Sequence, residues 1–186
     1  MSPRVNREVG VVTSLKSFSN VVLKTEALPD IGYYIGGNFY NRDLAVTDPS
    51  RLRAQCGSTK GKLFVKKDRS SRGEGIITLP VEQLTEERFS RIGDCVIQLP
   101  ITQNEFFEEM IAGSVATIRL TTVKDQTGRI DVRAAYLRLG RSNTEWVQSD
   151  NSIRVAITNR AGQLDNFCYT GDWRRWEYHP DTGLFI

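Results

Sequence analysis

The sequence of 186 residues is poor in the side chains that most often bind metals or act as catalytic bases. It contains one histidine, His179, and three widely spaced cysteines, Cys56, Cys95 and Cys168. The cysteines form no CxxC pair, and an odd number cannot all be joined in disulfides within one chain. A zinc site would need all four side chains to converge without a local ligand pair. We therefore predict free, mostly buried thiols, an exposed turn histidine, no metal and no other cofactor.

The motifs of common enzyme classes are also missing. There is no G-x-S-x-G nucleophile elbow. The segment from Gly57 to Lys62 resembles a phosphate-binding loop only in composition, because the first glycine of that motif is absent. The neighbouring carboxylates Glu86-Glu87 and Glu108-Glu109 point in different directions on a helix, so neither pair forms an acid–base dyad. We assign no catalytic residue, and the sequence favours binding over catalysis. An active site built from distant residues stays open.

Long apolar runs are absent as well. No segment approaches the ~20 apolar residues of a membrane span. The basic residues near the start are followed by no apolar segment of the kind found in signal peptides. We expect no membrane partner and a cytoplasmic location, which would be that of the host cell if the protein is viral.

What the sequence does contain is a series of short β-type segments separated by turns. Its length fits one domain, and turn signals recur every 8–12 residues in its second half. We predict a mainly β (α+β) fold: an antiparallel sheet, sandwich or small barrel with two short helices. Residues 1–8 are predicted to be a flexible N-terminal arm and residues 9–186 a single globular domain.

The clearest β signal is a hairpin. Residues 115–123 and 130–139 alternate in polarity around a turn that contains Gly128, a residue suited to the left-handed conformation. We expect Ile130, Val132, Ala134 and Tyr136 to share one face. Residues 41–60 are predicted to be an irregular loop. Further strands are predicted at residues 9–12, 21–23, 32–40, 62–65, 75–79, 95–99, 152–158, 167–169 and 173–178.

Two segments have helical spacing. Residues 80–92 carry apolar residues every three or four positions, and Thr85 precedes two glutamates that suit a first turn. Thr102-Gln103-Asn104-Glu105 matches the Thr-x-x-Glu capping box. We expect that second helix to begin at Thr102, to bury Phe106, Phe107, Met110 and Ile111, and to end at Gly113.

The charge distribution is uneven although the net charge is only +3. Residues 51–81 and 113–160 are rich in basic residues, and residues 82–112 are acidic. Proteins that bind single-stranded nucleic acid combine a cationic surface with aromatic rings, and Arg119, Arg133 and Arg154 are predicted to line one exposed sheet face. The candidate nucleic-acid-binding residues are Lys60, Lys62, Lys66, Lys67, Arg69, Arg72, Arg119, Arg133, Arg154, Arg174, Arg175, Trp173 and Trp176.

A protein interface is the other hypothesis. Interfaces are enriched in aromatic residues, and an acidic helix surface can contact a basic partner or imitate a nucleic-acid backbone. The candidate interface residues are Tyr33, Tyr34, Tyr40, Glu105, Glu108 and Glu109. The sequence favours a protein over a nucleic acid as the macromolecular partner and predicts no oligomeric state.

About a third of the chain, in its middle, resembles a group of uncharacterised small proteins encoded by tailed bacteriophages. The resemblance lies in a turn at Gly57-Ser58, a strand at residues 76–79, a strand-then-helix unit at residues 96–111, and the strand start at residues 115–119. It implies a phage origin and carries no established activity or site residue.

Taken together, these features lead to three functional hypotheses. The first is a non-catalytic phage-type accessory protein that binds another protein, including as an inhibitor of a host defence complex. The second is a nucleic-acid-binding module for single-stranded DNA or RNA. The third is a structural or assembly component of the virion.

Overall fold

The computed structural model describes residues 14–57, 61–71 and 73–186. The chain divides into two compact units, residues 1–101 and residues 102–186. The predicted arm at residues 1–8 and the predicted strand at residues 9–12 lie outside the described residues. That residues 9–186 form one domain stays a prediction.

The first unit is built on a six-stranded antiparallel sheet. Its strands are β1 (Asp30–Ile35), β2 (Asn38–Asn41), β3 (Val46–Thr47), β4 (Lys62–Lys67), β5 (Ile76–Pro80) and β6 (Cys95–Gln98), in the order β3-β2-β1-β6-β4-β5. Gly36 and Gly37 both have positive φ angles and form the tight turn between β1 and β2. The prediction of one bent strand over residues 32–40 is therefore corrected to a hairpin.

Among the described residues of this unit, three α-helices accompany the sheet: α1 (Ser19–Leu23), α2 (Pro49–Gln55) and α3 (Glu86–Ile92). The predicted helix after Thr85 is confirmed. The side chain of Thr85 accepts a hydrogen bond from the Arg88 amide at 3.3 Å, and Phe89 is fully buried in the core of this unit. That core also contains Leu52, Leu63 and Val65.

Two predictions in this unit are wrong. Residues 21–23 belong to helix α1 rather than to a strand, because local hydrogen bonding outweighs the modest β-propensity of Val21 and Val22. Residues 41–60 are not an irregular loop throughout. Helix α2 begins after Asp48, whose carboxylate accepts hydrogen bonds from the amides of Ser50 and Arg51, and Pro49 occupies the first helical position.

The second unit contains one helix and a five-stranded antiparallel sheet. After α4 (Glu105–Met110) come β7 (Thr117–Lys124), β8 (Ile130–Leu139), β9 (Ile153–Ile157), β10 (Leu164–Tyr169) and β11 (Arg175–Trp176). The strands lie side by side in chain order, from β7 at one edge to β11 at the other. The hairpin of β7 and β8 is confirmed, and Gly128 in its turn has a φ of 87°.

The alternation predicted along β8 is broken by a β-bulge. Thr121 lies opposite Ala134 and Thr122 lies opposite Val132, so Arg133 is an extra residue between them. Beyond the bulge the facing of the strand reverses, and Tyr136 lies on the side opposite Ile130. The prediction that these residues share a face is therefore wrong.

Helix α4 also differs from its prediction. Its N-cap is Asn104, whose side chain accepts a hydrogen bond from the Phe106 amide at 3.0 Å, so the helix begins after Asn104 and not at Thr102. It ends at Met110 instead of Gly113. Phe107 packs against the core of this unit, whereas Phe106 is 54% exposed. A helix of only six residues buries a narrow stripe of side chains.

The fold is mainly β with antiparallel sheets, as predicted from the sequence, and it has four α-helices among the described residues instead of two. None of the helices in the described part of the chain is long and apolar enough to cross a bilayer.

Candidate nucleic-acid interface

One face of the five-stranded sheet carries a row of arginines. Arg138 on β8 lies directly opposite Arg154 on β9, and Arg154 lies opposite Tyr169 on β10. Tyr169 in turn lies opposite Arg175 on β11. Residues directly opposite in neighbouring antiparallel strands share a face. The four side chains therefore form a continuous row across four strands.

A second, shorter row lies beside the first. Arg119 on β7 is directly opposite Tyr136 on β8. Tyr136 and Arg138 are two positions apart on one strand, so they point to the same side. We call the surface formed by Arg119, Tyr136, Arg138, Arg154, Tyr169 and Arg175 the arginine face.

Aromatic rings lie against these guanidinium groups. The Arg175 Cζ atom is 4.2 Å from the centre of the Phe167 ring. The Arg154 Cζ atom is 5.7 Å from the centre of the Trp173 ring, and that ring is 6.5 Å from the ring of Tyr169. Both cation–ring distances are within the ~6 Å of a cation–π contact.

The arginine face is an electrostatically unfavourable arrangement in the protein alone. Burial lowers the pKa of Arg138, and the positive charges of Arg119 and Arg154 lower it further. Like charges directly opposite each other destabilise a sheet. An anion bound there would relieve this repulsion.

Two carboxylates near this sheet pair with other arginines. Asp131 contacts Arg133 and Arg160, each at 3.8 Å, and Asp172 contacts Arg174 at 3.0 Å. No ion pair within the described residues includes Arg119, Arg138, Arg154 or Arg175. The charge of the arginine face is therefore not neutralised by acidic side chains of that part of the chain.

Two of these arginines are held in place by neutral acceptors. Arg154 donates to the backbone oxygen of Thr170 at 3.3 Å and to that of Ser149 at 2.5 Å. Arg138 donates to the Ser152 hydroxyl at 3.5 Å. Carbonyl and hydroxyl groups orient a guanidinium group without cancelling its charge.

Trp173 projects from the turn between β10 and β11. The residue is 74% exposed, and its backbone is left-handed, with a φ of 64°. This conformation costs a non-glycine residue about 1–2 kcal/mol. The turn enforces it: the Trp173 amide donates to the Thr170 oxygen at 3.0 Å, and the Thr170 hydroxyl donates to Asp172. Gly171 is required at this turn because a Cβ atom there would collide with the Asp150 carbonyl oxygen.

The sequence identified part of this surface. Arg119, Arg154, Arg175 and Trp173 are among the predicted residues and meet on or beside the arginine face. The sequence did not point to Arg138, Tyr136, Phe167 or Tyr169. The bulge at Arg133 reverses the face on which Arg138 and Tyr136 lie, so a regular alternation does not place them on this surface. In the sequence, Phe167 and Tyr169 look like ordinary strand residues.

The other candidates in this unit are not among the six residues of the arginine face. Arg133 is the bulge residue and pairs with Asp131. Trp176 lies opposite the buried Cys168 and packs against the core, and Arg174 is paired with Asp172. Because Arg133 has no partner in the register, the expectation that it shares a face with Arg119 and Arg154 stays a prediction.

The basic candidates of the first unit lie on β4 and in the turn after it. Lys62 contacts the Phe64 ring, with 5.5 Å from Nζ to the ring centre. Burial lowers the pKa of Lys66, while the nearby Asp30 carboxylate raises it. Lys67 and Arg69 anchor neighbouring segments through their backbone groups. The remaining candidates, Lys60 and Arg72, lie outside the described residues.

The candidate protein-interface residues differ in exposure. Tyr33 and Tyr34 are buried, with exposures of 0% and 6%, so their rings are removed from the surface. Tyr40 is half-buried, and Glu105, Glu108 and Glu109 on α4 are exposed. The aromatic segment at residues 33–40 therefore mainly builds the core of the first unit.

Tyr33 belongs to a buried polar cluster around Asp30. The Asp30 carboxylate accepts hydrogen bonds from Asn20 at 2.6 Å, from Gln98 at 2.6 Å and from the Tyr33 hydroxyl at 3.2 Å. Each buried oxygen of this carboxylate is thereby satisfied. We interpret the cluster as an internal tie between β1, β6 and α1.

The sequence did not predict an exposed apolar surface on the other face of the five-stranded sheet. Ile118, Leu120, Ile130 and Val132 are each more than half exposed, and with Ile157 they line an open groove of about 670 Å³. We call these five residues the apolar surface. They continue the face that farther along buries Leu137 and Val155 in the core. Because of the bulge and the length of the hairpin, these side chains lie beyond the buried core.

The residues considered for metal binding or catalysis have structural surroundings. Cys56, Cys95 and Cys168 are buried thiols outside any disulfide, as predicted, and burial raises the pKa of the Cys95 thiol to about 12. His179 is completely buried, which corrects the expectation of an exposed turn histidine. The described residues contain no group of three or more acidic, cysteine or histidine side chains that could hold a metal ion.

A scan against protein-family models and searches of curated proteins and of solved structures found no match to this chain. The resemblance to phage proteins stays a prediction.

Proposed function

We propose that this protein is a non-catalytic nucleic-acid-binding protein and that the arginine face of its second unit is the binding surface. The observation that carries the proposal is that the four arginines of the arginine face make no ion pair with an acidic side chain within the described residues. Phosphate groups supply regularly spaced negative charges, and arginine binds them through several N–H donors. The adjoining rings add contacts to sugars and bases that a simple anion site would not need.

A charge-reversal experiment tests this proposal. Arg119→Glu combined with Arg175→Glu changes two exposed arginines of the face, so the fold should survive. The ligand is a labelled oligonucleotide of about 20 nucleotides, which is longer than the ~4–16 nucleotides that a single-strand-binding domain typically covers. We expect its binding to weaken at least about tenfold. The slope of log affinity against log salt should flatten by about 0.7–0.9 for each phosphate that the variant no longer neutralises. Fluorescence anisotropy over a salt series measures both quantities.

A matched control makes the same change in net charge at two arginines that are not among the six residues of the arginine face. Arg133→Glu combined with Arg160→Glu reverses two exposed arginines that already contact Asp131. This variant should bind nearly as well as the unmodified protein. Equal losses in both double variants, or no binding by the unmodified protein at low salt, would refute the proposal.

A second candidate function is the binding of another protein at the apolar surface. Strand β7 is an edge strand of its sheet, and all eight of its residues are exposed. Such an edge can accept an additional strand, and alternate apolar side chains then give specificity. The partner we propose here is a strand with apolar residues at alternate positions. Inhibition of a host defence complex would be a special case of this function.

Two neighbouring substitutions on β7 test the second candidate. Leu120→Glu introduces a charge on the apolar surface, whereas Thr121→Glu introduces it on the opposite face of the same strand. After nuclease treatment, a protein that co-purifies with the unmodified chain should be lost with Leu120→Glu and retained with Thr121→Glu. Retention in both variants contradicts this candidate, and sedimentation shows whether the partner is a second copy.

A further inference from the structure

Trp173 combines an exposed side chain with an unusual backbone conformation. Its side chain lies mostly outside the fold, yet the chain adopts an unfavourable left-handed backbone at this residue. The hydrogen bonds of the turn and the close approach of Gly171 to Asp150 hold that backbone. An exposed ring kept in a strained conformation by its surroundings is characteristic of a residue that contacts a ligand.

The ring is held at the level of the charges on the arginine face. It lies 5.7 Å from the guanidinium carbon of Arg154 and 6.5 Å from the Tyr169 ring. The Phe167 ring lies under Arg175 in the same part of the sheet. Cations and rings therefore alternate within a few ångströms of one another.

We infer that the arginine face binds single-stranded nucleic acid, with an unpaired base stacked on Trp173 and the neighbouring phosphates on Arg154 and Arg175. This inference rests on the proposed function and specifies its ligand. In a duplex the bases are stacked on each other, so an exposed ring on a sheet has no base plane to contact. In a single strand every base offers such a plane, and stacking tolerates any sequence.

Three oligonucleotide probes of equal length separate stacking from charge. They are a single-stranded DNA, the same strand paired with its complement, and a strand of abasic sites that keeps the phosphates but lacks the bases. The unmodified protein should bind the single strand more tightly than either of the others. Fluorescence anisotropy at constant salt gives the three affinities.

Two substitutions at the same position then test the ring itself. Trp173→Asn removes the ring but keeps a residue that tolerates the left-handed conformation. It should weaken binding of the single strand roughly 5- to 150-fold. This range is the effect of losing one stacking contact between a base and a ring, converted at tenfold per 1.4 kcal/mol. Its affinity for the abasic strand should hardly change. Trp173→Phe should retain most of the preference for bases.

The outcomes distinguish this inference from the proposed function. If the abasic strand or the duplex binds as tightly as the single strand, or if Trp173→Asn weakens all three probes equally, the stacking inference fails while nucleic-acid binding stands. If no probe binds in a salt-dependent way, the proposed function itself fails.

Discussion

His179 is a buried ring whose two nitrogens are both hydrogen bonded. Nε2 lies 3.1 Å from the carbonyl oxygen of Gly140, and the Asp181 amide donates to Nδ1 at 3.2 Å. A carbonyl only accepts, so Nε2 carries the proton and Nδ1 is unprotonated. The ring is therefore neutral, and it ties the C-terminal segment to the residue that follows β8.

This arrangement makes folding stability dependent on pH. Burial lowers the pKa of His179 below its usual 6.5. As the pH falls through about 6.5, His179 becomes protonated in the unfolded chain but stays neutral in the folded protein. The stability that the neutral ring contributes is thus present above that pH and is lost as the pH falls towards the lower pKa of the folded state. We expect the urea midpoint to decrease between pH 7.5 and about 5.

His179→Gln is the control for this effect, because glutamine has an N–H donor for Gly140 and does not titrate. Its urea midpoint should vary less over the same pH interval. The titration of Asp181 does not affect the urea midpoint over this pH interval. Hydrogen bonds from Arg141 lower its pKa to about 2, so its contribution is lost only in more acidic solution. A midpoint that is equally pH-dependent in both proteins would contradict the assignment to His179.

At the scale of single elements, caps and bulges decide where helices and faces begin. Thr85, Asp48 and Asn104 each accept hydrogen bonds from the first turn of a helix. The sequence analysis placed a first helical turn at Thr85, from the two glutamates that follow it, and it predicted no cap at Asp48 or Asn104. The sequence pattern indicated a cap at Thr102, whereas in the structure Asn104, which is nearer the apolar residues, caps the helix.

The cap at Thr85 allows a direct test. Thr85→Ala leaves the Arg88 amide without its side-chain acceptor and should lower the free energy of unfolding by about 1 kcal/mol. Thr85→Ser keeps the hydroxyl and should stay close to the unmodified protein. Urea denaturation measures both, and the dependence on urea concentration should be unchanged. Equal stability of the alanine and serine variants would show that the hydroxyl does not cap α3.

The bulge in β8 has a larger effect than any cap. One extra residue, Arg133, reverses which side chains of the strand face the core. It places Tyr136 and Arg138 beside Arg119, and it leaves Ile130 and Val132 on the apolar surface. Strand periodicity alone does not reveal such an insertion, because the side chains on both sides of the bulge alternate regularly.

At the scale of the molecule, the second unit presents two different surfaces on the two faces of one sheet. One is cationic and aromatic, and the other is apolar and borders the edge strand β7. The net charge of +3 hides this separation, because acidic residues elsewhere in the chain offset the local excess of arginines. Binding behaviour should therefore follow the local surface and not the overall charge.

The sequence by itself determined the β character of the chain, its main hairpin, helix α3 and the buried cysteine thiols. These depend on local periodicity, turn chemistry and residue type, which act over a few neighbouring positions. Only the tertiary structure decided which arginines share a face, that Tyr33, Tyr34 and His179 are buried, and that Trp173 projects from a strained turn. These depend on strand register and on contacts between residues far apart in the chain, which no local pattern encodes.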